Sequence, residues 1–173
     1  DISGASDVSD PADGRNGIND IYRDRDGLSL ATANGLVRVQ RGDTAAAAEH
    51  IDRVGGEWLG AVTGVVRDAR HRLWISSGDS FTGVRWLDQA GWHRLTADPL
   101  LDRSYVHRVA TDSSGGVWFL GIGATAGPPE PPPGGPGAFR LGPDGRIARW
   151  GVSEGLTSGR VYAFAEGLDG ALW

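Results

Sequence analysis

The chain has 173 residues and a net charge of −5, and 39% of its residues are hydrophobic. Its acidity argues against nucleic acid as a partner, the absence of cysteine excludes disulfide bonds and thiolate metal sites, and no apolar run is long enough for a transmembrane helix. The 28 glycines and 7 tryptophans together predict packed strands separated by turns rather than a disordered chain.

The two ends of the chain are unusual for a complete gene product. Methionine is absent, even at position 1, and the last residue, Trp173, lies in an apolar run. Residues 1–14 lack the charged and then apolar pattern of a signal peptide. We therefore expect an internal segment of a longer protein, with residues 1–14 as a lead-in.

One strand pattern recurs four times, as an apolar residue followed three positions later by another. The steps between copies are 44, 44 and 55 residues. β-Branched and aromatic residues between Gly, Asp and Asn turns predict a strand in each copy. The pairs are Ile18/Ile21, Val62/Val65, Val106/Val109 and Val161/Phe164.

Each copy continues with a polar turn and a second apolar strand. Trp74, Trp118 and Trp173 fall at one position of that strand, and Leu30 is expected at this position in the first copy. A position that repeats as tryptophan predicts a core residue.

A glycine-led third strand follows in three copies, and a fourth segment closes two of them. The third strands begin at Gly35, Gly83 and Gly137, and the fourth segments cover residues 92–95 and 147–150. In the first copy the alanine run in residues 44–50 occupies the place of the fourth strand, so we expect that copy to be irregular.

A unit of about 44 residues with four short strands is typical of a β-propeller blade. The sequence therefore predicts an all-β fold, a β-propeller fragment of about three four-stranded blades plus the start of a fourth. The expected boundaries are 15–60, 61–104, 105–159 and 160–173.

The third unit is longer because it contains a proline-rich segment, residues 126–136, which we expect as a loop between its second and third strands. Two interpretations are open, a docking loop for a proline-recognising partner and a solvated insertion, and the insertion is favoured.

Several motifs resemble the two-component regulator propeller repeat. They are Asp-x-x-Gly-Gly-Val-Trp at 112–118, Gly-Leu-Thr-Ser-x-x-Val at 155–161, Leu-Trp-Ile at 73–75 after Asp68, and Asn-Gly-Leu-Val-Arg at 34–38. His71 departs from the pattern, because glycine is usual there. The resemblance covers nearly the whole chain from Asn16 onward.

The resemblance implies the extracytoplasmic, periplasmic sensor part of a two-component signal-transduction protein, in many cases a hybrid histidine kinase that signals by phosphorelay. It also implies a membrane-anchored parent protein whose further propeller blades are partners of this segment, and a dimer is among the arrangements that it allows. The same repeats also fit secreted or enzyme-linked proteins.

The sequence offers no catalytic or metal-binding constellation. The four histidines lie in unrelated contexts, and no two of them have a metal-ligand spacing. Asp68, Asp112 and the Asp24–Gly27 stretch are typical of tight turns, and His107, on an inner strand, is expected to be structural. We therefore expect neither enzymatic activity nor a cofactor in this segment.

The residues that lead into the four inner strands are candidates for ligand binding. Because inner strands converge around one axis, their starts become neighbours at one rim. Aromatic faces and arginine forks suit sugar rings and carboxylates, which favours a small-molecule or oligosaccharide ligand, above all an anionic one. Alternatively, arginine is simply the only basic residue besides histidine, in solvated loops. The candidates are Arg15, Asn16, Trp58, Arg103, Tyr105, Ser158 and Arg160.

Three function classes follow. The first is ligand sensing without chemistry. The second is a propeller lyase or hydrolase whose catalytic residues lie in other blades. The third is a protein-interaction scaffold that uses the proline-rich loop.

Overall fold

The computed structural model describes residues 17–42 and 48–173. The first antiparallel sheet, blade 1, consists of β1 (Ile18–Arg23), β2 (Gly27–Thr32), β3 (Gly35–Gln40) and β4 (Glu49–Ile51). A short hairpin follows, formed by β5 (Arg53–Val54) and β6 (Glu57–Trp58). Strands of blade 1 that are consecutive in sequence are neighbours in the sheet, as in a propeller blade.

Two further sheets repeat this arrangement. Blade 2 consists of β7 (Gly64–Arg67), β8 (Leu73–Ser76), β9 (Val84–Asp88) and β10 (Gly91–Arg94). After a one-turn helix, α1 (Pro99–Asp102), blade 3 consists of β11 (Ser104–Thr111), β12 (Val117–Ala124), β13 (Ala138–Leu141) and β14 (Ile147–Trp150), followed by a 3₁₀ turn (Val152–Glu154).

A fourth unit begins after blade 3. Ala165 and Trp173 exchange two backbone hydrogen bonds of 2.9 Å, as the first two strands of a blade would. The prediction of an all-β propeller with about three four-stranded blades and the start of a fourth is therefore confirmed. No helix in the described residues is long and apolar enough to cross a membrane.

The same backbone hydrogen bond joins each unit to the one before it. The amide N of Val62 donates to the carbonyl O of Thr32 at 2.9 Å, that of Val106 to Ser77 at 3.0 Å, and that of Val161 to Gly121 at 2.9 Å. Each donor is the first residue of the repeated apolar pair. Each unit is therefore offset from the preceding one in the same way.

The third strand begins with glycine because the backbone at the end of the fourth strand passes very close to this position. Gly35 and Gly137 have φ values of +103° and +91°, a region that favours glycine. A Cβ on Gly35 would overlap the carbonyl oxygen of Ile51, and one on Gly137 that of Trp150. The glycine-led strand of the repeat is thus required by the chain that leaves the fourth strand.

Two of the three repeated tryptophans form the aromatic core. Trp74 is fully buried, with its ring centroid 5.0 Å from Trp86 in its own blade and 5.3 Å from Phe119 of blade 3. Trp118 lies 5.0 Å from Trp150 and 5.4 Å from Phe164 of the next unit. Trp173 is 82% exposed, because no described strand covers it.

The expectation that Leu30 takes the tryptophan position was wrong by one residue. Trp74 pairs with Val66 and Trp118 with Ala110, and the equivalent pair in blade 1 is Ser29 with Tyr22. Four residues separate the last pair of β1 and β2, Arg23 with Leu28, whereas five separate the last pair of β7 and β8, Arg67 with Leu73, and this difference of one moves the register. In this pair Tyr22, on the facing strand, supplies the large ring.

The irregular end of blade 1 is short but present. β4 covers three residues and pairs with β3. Residues 44–47 of the alanine run lie outside the described residues. The proline-rich segment lies between β12 and β13, as expected.

Candidate functional site

The connections between strands alternate between two ends of the blades, because neighbouring strands are antiparallel. We call one end the loop end. It carries the starts of the inner strands and the connections between second and third strands, residues 32–35, 58–63, 77–83, 103–105, 124–137 and 158–161. The other, the turn end, carries residues 24–27, 41–42, 68–72, 88–91, 112–116 and 142–146.

Trp58 lies at the loop end on the β5–β6 hairpin. Its side chain is 48% exposed, and the guanidinium of Arg53 lies 5.4 Å from its ring centroid. Its neighbour Glu57 accepts a hydrogen bond of 2.5 Å from Nη2 of Arg85, which is buried in blade 2. This ion pair ties the hairpin to blade 2 and leaves the indole facing solvent.

Arg103 lies between α1 and β11, and it binds the proline-rich loop. Its Nη1 donates to the carbonyl O of Thr125 at 2.8 Å, and its Nη2 donates to that of Pro129. Helix α1 places Arg103 because Asp98 caps it, accepting from the amides of Leu100 and Leu101. The guanidinium nitrogens of Arg103 that could bind a ligand are therefore already used to hold this loop.

Ser158 and Arg160 lie on the other side of the same loop. Both are exposed, and the amide of Arg160 donates to Oγ of Ser158 at 3.1 Å. The amide of Gly137 donates to Gly159 O at 2.8 Å, which brings the end of the loop beside Arg160. Arg160 makes no side-chain hydrogen bond within the described residues.

The predicted rim residues thus fall into separate groups. Arg103, Ser158 and Arg160 surround the proline-rich loop, and half-buried Tyr105 lies opposite Gly123 in the β11–β12 pair. No hydrogen bond or aromatic contact in the described part of the chain joins Trp58 to this group. Arg15 and Asn16 lie outside the described residues.

A row of polar residues lies on the inner strands; the sequence analysis expected His107 there as a structural residue but missed Asn19 and Thr63. Asn19 Nδ2 donates to Val62 O at 2.8 Å, and Thr63 Oγ1 donates to Val106 O at 3.4 Å. At the same repeat position, the His107 ring lies edge-on to Tyr162 with centroids 5.5 Å apart. The signal was available, since each residue directly follows the first residue of the repeated apolar pair.

Aspartates organise the turn end, as the sequence predicted. Asp68 accepts from the amides of Arg70 and Arg72 and from the indole Nε1 of Trp74 at 2.8 Å. Asp112 repeats this arrangement with Trp118 Nε1 at 2.8 Å and adds Arg140 Nε at 2.6 Å.

The hydrogen bonds at these aspartates change their acidity. Burial alone would raise the pKa of the Asp112 carboxyl, but hydrogen bonds from Arg140, Ser114, Gly116 and Trp118 outweigh it and hold that pKa well below its usual range. At Asp68 the same opposition, burial against hydrogen bonds from Trp74 and Arg72, also lowers the pKa. Both carboxylates are charged, fully engaged turn anchors.

The turn end also carries two adjoining cavities between blades 1 and 2, of about 520 and 890 Å³. Sequence analysis missed them. Four arginines and two aspartates line the larger one together with His71. The one available signal was His71 itself, which has a φ of +62° where the equivalent residues are Gly115 and Gly170.

No group of three or more His, Asp or Glu side chains among residues 17–42 and 48–173 is placed to hold a metal ion. His93 and Asp88 are 2.9 Å apart, but the imidazole is stacked on Trp86 at the outer edge of blade 2. Arginine forks and aromatic faces are the groups open to a ligand.

Neither known protein-family models nor curated protein sequences match the chain. Among solved structures it is similar to an extracellular domain assigned to a hybrid two-component system of B. thetaiotaomicron, with TM-score 0.69, 15% identity, and coverage of 90% of this chain and 20% of that one. A second such domain from this organism, assigned to a one-component system, gives TM-score 0.63 and 14% identity, with coverage of 90% and 20%.

A third similar structure is assigned as a gluconolactonase, with TM-score 0.62, 16% identity, and coverage of 93% of this chain and 56% of that one. The chain thus spans about a fifth of the first two proteins and about half of the third. At these identities the likeness establishes the fold, and the chain is a set of consecutive β-propeller blades.

Proposed function

We propose that this chain is a ligand-sensing part of the extracytoplasmic propeller of a two-component signalling protein. The observation that carries the proposal is the likeness in fold, over 90% of the chain, to an extracellular domain assigned to a hybrid two-component system. The resemblance of the 112–118 and 155–161 motifs to the regulator propeller repeat supports it independently.

The remaining parts of the proposal follow from that assignment. The parent protein is anchored in the membrane, this segment lies in the periplasm, and further blades of the same chain pack beside it. The ligand is a small molecule or oligosaccharide that is bound without being converted, and the signal passes to a histidine kinase.

The proposed ligand site is the rim at the loop end, with Arg15, Asn16, Trp58, Arg103, Tyr105, Ser158 and Arg160. Within it, Trp58 and Arg160 contact the ligand, because both are exposed. Arg103 acts as a positioning residue, because its Nη atoms bind the carbonyls of Thr125, just before the proline-rich loop, and of Pro129 within it. A ligand carboxylate on Arg160 would gain about 1.5–3 kcal/mol as a charge-assisted hydrogen bond.

The test is binding of the purified protein to an array of oligosaccharides that includes neutral and uronic acid oligomers. We expect a retained ligand whose affinity falls in Trp58→Ala and Arg160→Ala. Arg146→Ala is the matched control, since Arg146 lies at the turn end with a side chain that is 90% exposed. Equal losses in Arg146→Ala and Arg160→Ala, or no retained ligand, would contradict the proposal.

A second candidate is hydrolysis of a sugar lactone, favoured by the likeness to the structure assigned as a gluconolactonase. Incubation with gluconolactone distinguishes the two functions. A sensor leaves the lactone to its spontaneous hydrolysis, whereas a lactonase speeds the addition of water to the ester carbonyl, which opens the ring to a carboxylic acid and releases a proton that a weakly buffered indicator assay detects.

A further inference from the structure

The cleft at the turn end between blades 1 and 2 is lined by four arginines and a histidine. We call it the turn-end cleft and define it by Arg25, Arg38, Arg67, Arg70 and His71. Its volume is about 890 Å³, and it continues into the cavity of about 520 Å³. Three of the arginines form ion pairs, Arg25 with Asp26, Arg38 with Glu49 and Arg67 with Asp24, whereas Arg70 forms no salt bridge within the described residues.

Two of these guanidinium groups are held in place by bonds that leave donors free. Arg67 Nε donates to Asp24 at 2.7 Å and its Nη1 donates to His71 O at 2.8 Å. Arg70 Nη2 donates to Pro143 O of blade 3 at 2.7 Å. Each guanidinium has five N–H donors, so both keep unused donors in a fixed orientation.

His71 supplies an independent sign that this surface is specialised. It is the only non-glycine residue with a positive φ in the described residues, at +62°. The equivalent turn residues are glycines, Gly115 with φ +84° and Gly170 with φ +78°. A side chain in this region costs stability and persists where the side chain has a use. The His71 side chain lines the turn-end cleft, where it can bind a ligand.

We propose that the turn-end cleft binds a carboxylate-bearing ligand of about the size of a disaccharide. Arginine forks match carboxylates in two parallel hydrogen bonds, His71 adds a ring donor, and the volume lies in the range of about 300–1,000 Å³ typical of small-ligand sites. The site lies at the opposite end of the blades from the rim. It is a second site, and it stands whether or not the rim binds a ligand.

The experiment is calorimetric titration of the purified protein with digalacturonate, with lactose as the neutral probe at the same ionic strength. We expect saturable binding of digalacturonate and none of lactose. Arg70→Gln removes one charged donor, and we expect it to weaken binding about tenfold. His71→Gly weakens binding but raises the melting temperature, because glycine fits the backbone there. A variant that merely damaged the fold would lower both.

Two control variants separate this site from its surroundings. Arg146→Gln removes a charge from the turn end outside the cleft, and Arg160→Gln removes one from the rim. Arg146→Gln leaves digalacturonate binding unchanged, whereas Arg160→Gln removes at most the binding that belongs to the rim and leaves the binding that depends on Arg70 in place. The proposal is overturned if digalacturonate does not bind, if lactose binds equally, if Arg70→Gln behaves like Arg146→Gln, or if Arg160→Gln alone abolishes binding.

Discussion

The junction between blades 2 and 3 and the junction between blades 1 and 2 solve the same packing problem with different residues. At the first, Trp74 is fully buried against Phe119, with ring centroids 5.3 Å apart. At the second, Ser29 stands at the tryptophan position, and polar contacts of Asp24 with Arg67 and of Asp20 with the Val65 amide are added to a buried cluster of smaller apolar side chains. The repeat fixes where blades meet, while the residues at each junction decide whether charged contacts supplement the apolar ones.

The difference between the two junctions also bears on ligand binding. A buried tryptophan closes its junction, whereas the arginine of the blade 1–2 junction also faces the turn-end cleft. A charged junction can therefore serve stability and binding together.

Among variants that test this comparison, Trp74→Ala is expected to have the largest effect on stability. Loss of a fully buried ring leaves a large cavity and costs about 3–5 kcal/mol of unfolding free energy. Urea unfolding followed by tryptophan fluorescence measures it. Trp58→Ala, at an exposed indole, is the control and should change stability little, and equal losses in the two variants would show that Trp74 is not the centre of its junction.

A second prediction concerns the turn anchor of blade 3. Asp112→Asn removes the negative charge that pairs with Arg140 and accepts from the indole of Trp118, and should cost about 2–3 kcal/mol because Arg140 loses its anionic partner and the indole keeps only a neutral acceptor. Thermal unfolding at neutral pH measures the loss. Asp144→Asn, in an exposed turn of the same blade, is the matched control.

The same carboxylates predict how stability depends on pH. The pKa values of Asp24, Asp68 and Asp112 are lower in the folded state than the ordinary aspartate value of about 4. Their contribution is fully present above that pH and is lost as pH falls through the lowered folded values. Unfolding curves between neutral pH and acid should show a falling midpoint below about pH 4, with a shallower fall in Asp112→Asn.

A smaller effect is expected at the charged junction. Arg67→Gln removes an ion pair whose two side chains are each 18% exposed, and should cost about 1 kcal/mol. Hydrogen exchange at the Val65 amide, which donates to Asp20, should speed up. If exchange there stays unchanged while the Val109 amide in blade 3 speeds up, the ion pair is not what joins blades 1 and 2.

The smallest expected change is a gain. His71→Gly relieves a side chain at φ +62° and should stabilise the protein by about 1 kcal/mol. A differential scanning calorimetry comparison with His50→Gly, at an ordinary strand position, checks the sign. A loss of stability in His71→Gly would mean that the ring makes a contact worth more than the strain.

Much of the fold could be predicted because the propeller repeat imposes one spacing on every unit. The burial of Trp74 and Trp118 and the turn roles of Asp68 and Asp112 follow from recurrence at a fixed position. The tryptophan position of blade 1 was assigned to Leu30 instead of Ser29 because one residue is missing from this copy of the repeat. The sequence shows that a residue is missing but not whether the turn or the strand is shorter, which only the backbone structure shows.

The functional surfaces were harder to predict because their residues come from different blades. Asp24 and Arg67, which border the turn-end cleft, are 43 residues apart. Because the chain has no lysine, the choice of arginine as the basic residue does not distinguish a binding residue from a surface residue. The role of Arg103 depends on carbonyls 22 and 26 residues further on, which no sequence pattern identifies. His71 alone carried a signal, as a departure from the repeat.

The backbone bond that ties Val62, Val106 and Val161 to the preceding unit involves no side chain. Its geometry is therefore indifferent to amino-acid identity, and it marks the same seam in every unit. Cutting the chain before these residues would yield segments whose backbone seams match. A grafted blade would therefore meet its new neighbour with the right backbone register, and only the junction side chains would need to be adapted.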